Sequence, residues 1–162
     1  MTPQQRPEIK TLANLEAAFA GESMAHIKYR YFARLAREMG DEDTARSFEA
    51  TAEQEVMHAF GHLDLLYPRA TMTPAKALQI AIAGETYEYT EMYPGFRATA
   101  EAEGNAAAVA EIDEQIEESR VHAAQFRATL EKAQKRFAAL AKVEQRHAAH
   151  YQAQLDRLAL AA

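Results

Sequence analysis

Apolar residues recur every three to four positions along most of this chain, the spacing that places side chains on one face of an α-helix. The second such segment shows the pattern clearly. Its apolar face is formed by Phe48, Val56, Phe60, Leu63 and Leu66. No segment shows the strict alternation of apolar and polar residues that is typical of a strand. The pattern therefore predicts an all-α protein.

Glycine, proline and capping residues divide the helical pattern into separate helices. The first helix is predicted to begin near Glu8 and to stop at Gly40, because glycine is a usual helix terminator. Asp41 is suited to cap a second helix, which should end before Pro68 because the residue preceding a proline is disfavoured in helical geometry. Residues 8–67 are therefore predicted to form a first helix pair.

A second helix pair is predicted after a short linker. Pro74 suits the first turn of a third helix, behind a threonine cap. Pro94 should kink that helix together with the glycine after it, and Gly104 should end it. Residues 106–162 contain neither glycine nor proline. This stretch is either one very long helix or two helices that meet at a turn without glycine.

Length and composition fit one helical domain. The 162 residues are enough to bury a core, and the balance of 48% hydrophobic and 26% charged residues is ordinary for a globular protein. We expect one four-helix bundle over residues 1–162, made of the helix pair 8–67, the linker 68–73 and the helix pair 74–160. No N-terminal segment resembles a cleavable signal and no apolar run could span a bilayer, so we expect a cytoplasmic protein with no membrane partner.

Composition also excludes several kinds of site. The absence of cysteine removes disulfides, thiolate chemistry, zinc ribbons and iron held by four cysteines. The net charge of −6 argues against a nucleic-acid partner, since contacts to phosphates need clustered Lys and Arg. Carboxylates and histidines remain as the groups that can carry chemistry.

Two Glu-x-x-His units stand out as candidate metal ligands. They are Glu55 with His58, and Glu144 with His147. A spacing of three puts both side chains of a unit on one helix face, so both can reach one metal ion inside a bundle. One such unit is weak evidence, but two on different helices favour a metal site.

The other two helices supply further carboxylates. Glu22 lies within an apolar stretch of the first helix, where a solvated carboxylate would be out of place. The third helix carries Glu85, Glu88 and Glu91 at a spacing of three. Carboxylate oxygens with one imidazole per metal suit iron or manganese better than zinc or copper. We therefore predict a site for two iron ions, with manganese or a mixed iron–manganese pair using the same ligands.

Three segments resemble the signatures of rubrerythrins. They are FAGES at 19–23, EQEVMH at 53–58 and GETYEYTEMYPGF at 84–96. The similarity extends from about Thr11 to Leu158. The resemblance implies a ferritin-like four-helix bundle and the two-electron reduction of hydrogen peroxide to water at a di-iron centre that cycles between ferrous and ferric states.

The resemblance also implies a role for each candidate residue. The core carboxylate ligands would be Glu22, Glu55, Glu88 and Glu144, the second and the fourth of them bridging. His147 would bind one iron, and the other iron would exchange between Glu91 and His58 as its oxidation state changes. Tyr29 resembles the family tyrosine that hydrogen-bonds to the ligand shell.

The fourth helix departs from the family pattern. In ordinary rubrerythrins the Glu-x-x-His pair follows the glycine after the third helix at a spacing that here reaches Ser119 and His122, so the histidine is in register and the glutamate is missing. The complete pair Glu144 and His147 comes 25 residues later. This tandem duplication spans about seven turns, which preserves the helix phase. We favour Glu144 and His147, with His122 beside Glu118 or Ser119 as the alternative.

The linker is short for a ferritin-like bundle, in which the second and third helices run parallel. If Glu55 and Glu88 lie at one depth, the helix ends to be joined are ~40 Å apart. An extended linker of this length covers only ~21 Å. We therefore predict a helix-swapped homodimer, or a higher oligomer, with each metal site drawn from two chains.

Three functions compete on these grounds. The leading prediction is a peroxidase that meets hydrogen peroxide or O2. The expected absence of the family's cysteine-bound rubredoxin-like domain would require an external electron donor, such as a separate rubredoxin or reductase. The alternatives are a ferroxidase or iron-handling protein, and a non-catalytic helical interaction scaffold. The additional glutamate on the third helix favours the peroxidase.

Overall fold

A computed structural model describes residues 10–160, and every regular element in that range is helical. The elements are α1 (Thr11–Glu38), α2 (Glu42–Leu66), a 3₁₀ turn (Arg69–Thr71), α3 (Pro74–Tyr87), a π-helical segment (Glu88–Met92), α4 (Tyr93–Ala102) and α5 (Ala106–Leu160). The all-α prediction is thereby confirmed for the described residues. The chain divides into two compact units between Met72 and Thr73. We call them the first hairpin (α1 and α2) and the second hairpin (α3 to α5).

The first hairpin is closed by a short turn that the sequence predicted. Gly40 adopts a positive φ of 83°, a conformation that glycine accepts without steric cost. The Asp41 side chain then accepts a 3.0 Å hydrogen bond from the backbone N–H of Thr44, which caps α2. The predicted start of the first helix near Glu8 lies outside the described residues.

Alanine lets α1 and α2 approach closely. The buried side chains of this hairpin are Ala33, Ala36, Ala45, Ala52 and Ala59. On the solvent side, Arg37 donates hydrogen bonds to the carboxylates of Glu42 and Glu49. The small residues set the contact, and the ion pairs join the helix ends near the turn.

The second hairpin begins and turns at the predicted residues. Thr73 caps α3 by accepting a 3.1 Å hydrogen bond from the backbone N–H of Lys76. Gly104, with a positive φ of 72°, ends α4, and the Asn105 side chain caps α5. Of the two possibilities left open for the stretch after Gly104, the structure has one long helix of 55 residues.

α5 differs between its two parts. In the proximal segment, residues 106–133, one face packs on α3 and α4 and buries Ser119 and Ala123. In the distal segment, residues 134–160, every side chain except that of Val143 is exposed. Among residues 10–160, no helix combines the length and the apolar character that crossing a membrane requires. The second hairpin therefore has its core at the proximal segment.

Candidate metal centre

The first hairpin brings three predicted ligands together. Glu22 comes from the middle of α1, and Glu55 and His58 come from one face of α2. Nδ1 of His58 lies 3.0 Å from Oε2 of Glu55 and 3.9 Å from Oε2 of Glu22. Each of the three residues offers a ligand atom within 4.8 Å of the other two. This cluster is the right size to surround one metal ion.

The two carboxylates of this cluster are half-buried. The Glu55 side chain is 16% exposed and that of Glu22 is 30% exposed. A hydrogen bond with the Glu22 carboxyl and, next, one with His58 hold the pKa of the Glu55 carboxyl below its ordinary value. Two neighbouring carboxyls cannot both ionise cheaply without a proton or a cation between them. Two carboxylates and one imidazole therefore fit a divalent iron or manganese ion.

The second hairpin sets two glutamates of the third helix against the proximal segment of α5. The hydroxyl of Ser119 donates a 2.9 Å hydrogen bond to Oε2 of Glu88. One turn away, Nδ1 of His122 lies 3.4 Å from Oε2 of Glu85. The sequence predicted Ser119 and His122 only as the alternative to Glu144 and His147, and it predicted no contact for Glu85. The spacing from Gly104 was the signal that pointed to them.

A π-helical segment separates the roles of Glu88 and Glu91. The backbone N–H of Tyr93 bonds to the carbonyl of Glu88, five residues earlier, and such wide turns occur often at functional sites. Because a π turn holds more residues than an α turn, Glu91 is rotated away from the face of Glu88. Glu88 is half-buried and Glu91 is exposed. This segment lies directly before Pro94, which stands in the first turn of α4, and the kink that the sequence predicted there stays a prediction.

Burial and nearby negative charge affect Tyr93, which lies at the start of α4 in the second hairpin. Burial raises the pKa of the Tyr93 phenol, and the charges of Glu88, Glu85 and Glu111 raise it further. These three carboxylates therefore create a negative potential at one place between α3 and α5.

Tyr29 and the pair formed by Glu144 and His147 have other neighbours. Tyr29 packs its ring 5.8 Å from that of Phe48, so its proposed bond to the ligand shell stays a prediction. Nδ1 of His147 lies 3.6 Å from Oε2 of Glu144, with side chains 59% and 75% exposed. The structure does not bring this pair to α3, because Glu144 lies ~37 Å along α5 from Ser119 at the rise of a regular helix. The role of Glu144 and His147 as ligands also stays a prediction.

The chain is similar to several characterised proteins. Nigerythrin of Nitratidesulfovibrio vulgaris is 41% identical over 111 residues, which cover 61% of this chain and 55% of the relative. Rubrerythrin of Porphyromonas gingivalis is 41% identical over 106 residues, which cover 59% and 53%. This chain therefore spans about half the length of these curated relatives. The structure of fully reduced, all-ferrous nigerythrin is 34% identical with a TM-score of 0.40, over 83% of this chain and 72% of that one.

A family model also matches the chain. The Rubrerythrin model matches residues 13–70 and 62–130, well over half of the chain. These ranges include both the cluster of the first hairpin and the contact between α3 and the proximal segment. The resemblance seen in the sequence is thereby confirmed, and the chain belongs to the rubrerythrin family.

Proposed function

We propose that this protein is a di-iron peroxidase that reduces hydrogen peroxide to water. The reaction consumes one peroxide, two electrons and two protons and yields two water molecules. The observation that carries the proposal is the cluster of Glu22, Glu55 and His58, in which two half-buried carboxylates and an imidazole meet. Iron bound there would supply the electrons, and membership of the rubrerythrin family supports that choice of metal.

The proposed ligands are divided between the hairpins. The first would contribute Glu22, Glu55 and His58, and the second would contribute Glu88, Glu91, Glu144 and His147, with His122 beside Glu118 or Ser119 as the alternative to the last two. The half-buried carboxylates would hold the metal ions in place in both oxidation states. His58 and Glu91 have exposed side chains, and they would be the alternative ligands of one metal in its two oxidation states. Manganese or a mixed pair would use the same oxygen-rich donor set.

The proposal includes a helix-swapped homodimer. The linker contains a 3₁₀ turn at Arg69–Thr71, and a helical turn spans less distance than extended chain. The first hairpin also exposes more than half of several large apolar side chains, namely Met24, Ile27, Met57 and Phe60. Exposed apolar surface of this kind favours association when it forms a patch. Pairing the first hairpin of one chain with the second hairpin of another would cover it and complete two metal sites per dimer.

The reducing equivalents would come from a separate protein, such as a rubredoxin or a reductase. The same site could instead oxidise ferrous iron for storage, and the two functions differ in stoichiometry. A peroxidase returns to the ferrous state with each supply of reductant, whereas a ferroxidase uses up ferrous iron as a substrate.

Turnover under anaerobic conditions tests the proposal. The iron-loaded protein is given a chemical reductant and repeated additions of hydrogen peroxide, with metal-free protein as the control. We expect peroxide consumption to exceed bound iron many times over without any loss of iron from the site. Consumption that stops after one equivalent and resumes only when ferrous iron is added would instead support the ferroxidase.

A further inference from the structure

We infer that the distal segment of α5 pairs, in the antiparallel direction, with the distal segment of a second copy of this chain. The inference goes beyond the proposed function and does not rest on it. Its basis is one line of residues on the helix surface, which we call the distal stripe. The members of the stripe are Phe137, Leu140, Glu144, His147, Tyr151, Leu155 and Leu158.

The distal stripe continues the packed face of the proximal segment. On that face Ser119 and Ala123 are buried, and Phe126 and Leu130 are half-buried. From Leu130 the same spacing of three or four residues leads to Phe137 and along the distal stripe, so one helix face extends through both segments. The cover provided by α3 and α4 ends before the stripe begins, because Phe137 is exposed.

The distal stripe exposes enough hydrophobic surface for a specific contact between two chains. Its five large hydrophobic residues are each between 49% and 69% exposed. At roughly 100 Å² for each of them, two copies would remove about 1,000 Å² from water, which is the lower limit for a specific interface. Lys135, Lys142 and Arg146 lie on the opposite side of the helix. Pairing through the stripe therefore leaves these charges in water.

The order of residues makes the stripe complementary to itself in the antiparallel direction. Leu140 and Tyr151 lie equally far from the point between residues 145 and 146, and Phe137 and Leu155 do so to within one residue. A two-fold axis at this point would place Leu140 against Tyr151 of the second copy, and Phe137 against Leu155 of the second copy. Large hydrophobic side chains would then meet each other, in the isologous contact that a two-fold dimer requires.

Charge favours the antiparallel pair over a parallel one. In a parallel pair, equal positions meet, so the carboxylates of the two Glu144 residues would repel each other. In the antiparallel pair, Glu144 faces His147 of the second copy, and an imidazole N–H can donate a hydrogen bond to a carboxylate. This pairing competes with the proposed role of Glu144 and His147 as iron ligands, and it agrees with the alternative at His122.

Disulfide cross-linking between full-length chains tests the inference. The chain has no cysteine, so introduced thiols can form disulfides only with each other. Leu140→Cys and Tyr151→Cys chains are co-expressed with tags of different length and exposed to oxidised glutathione. Ala139→Cys with Ala153→Cys is the matched control, because these exposed residues have nearly the same register but lie on the opposite side of the helix.

We expect the heterodimer linked through positions 140 and 151 in roughly tenfold greater yield than the control pair, because a disulfide requires Cβ atoms about 4 Å apart. Leu140→Cys chains linked mainly to one another would show a parallel pair. Linkage no greater than in the control would mean that the stripe is covered by another part of the protein or by a different partner. Either of these two results would overturn the inference and leave the proposed function intact.

Discussion

The hydroxyl of Ser119 donates a 2.9 Å hydrogen bond to Oε2 of Glu88 across the contact between α5 and the third helix. This bond joins the proximal segment of α5 to the glutamates of the third helix. It also joins the buried core of that hairpin to the proposed metal centre, so changes at Ser119 should affect both stability and the site.

We first predict that Ser119→Ala destabilises the metal-free protein. Loss of a hydrogen bond to a half-buried carboxylate should lower the free energy of unfolding by about 1–3 kcal/mol. Urea denaturation followed by circular dichroism measures the change. Thr129→Ala is the control, because its exposed hydroxyl bonds only to a carbonyl of its own helix. An equal change in both variants would contradict a specific role for the bond.

The stability of the protein should be equally sensitive to substitutions that change the packing beside this bond. Ala123 is fully buried in the contact, whereas its neighbour Ala124 is exposed. Ala123→Leu should therefore destabilise the protein by about 1–3 kcal/mol through overpacking. Ala124→Leu should change stability by less than about 0.5 kcal/mol. Thermal unfolding of the two variants compares them directly, and similar melting temperatures would mean that α5 does not pack through this face.

The Asp41 cap of α2 should make the free energy of unfolding depend on pH in acidic solution. The backbone N–H of Thr44 holds the pKa of Asp41 below its ordinary value of 3.8. A lowered pKa contributes stability that is present above 3.8 and is lost as the pH falls through the folded-state value. Asp41→Asn keeps a capping oxygen but removes the titration. The difference in unfolding free energy between wild type and Asp41→Asn should thus shrink below that pH in urea denaturation, and a difference that stays constant would refute the assignment.

The linker should control the oligomeric state. Scattering on the metal-loaded protein should give the mass of a dimer or a multiple of it. Inserting about twenty Gly and Ser residues between Pro68 and Thr73 should permit the hairpins of one chain to pair, because a flexible linker of that length can span the bundle. The expected product is a monomer that still binds metal. A monodisperse wild-type monomer with intact metal sites would rule out the swap.

Much of the fold follows from local signals in the sequence. The turn at Gly40, the caps by Asp41 and Thr73 and the end of α4 at Gly104 depend on backbone geometry that a few residues determine. The meeting of Glu55 with His58 was also predictable, because helical spacing alone puts them on one face.

The segment of α5 that packs against the third helix could not be predicted from the sequence in the same way. The duplicated segments around His122 and His147 share one helix phase, so periodicity gives both the same face. What separates them is tertiary contact, since Ser119 and Ala123 pack against the third helix while Glu144 remains exposed. The π-helical segment escaped prediction for a similar reason. A proline lacks a backbone N–H, so it indicates that one helical hydrogen bond is missing. It does not indicate which turn of the helix widens as a result.

The most direct test of the account is the metal content of the protein after anaerobic reconstitution, followed by one equivalent of hydrogen peroxide. We predict about two iron ions per chain, rapid oxidation to a ferric spectrum and return to the ferrous state on reduction. His58→Ala should lose at least one of these ions, and His150→Ala, which alters an exposed residue of the distal segment, should retain both. A wild-type protein that binds no iron, or only one ion per chain, would contradict the di-iron centre.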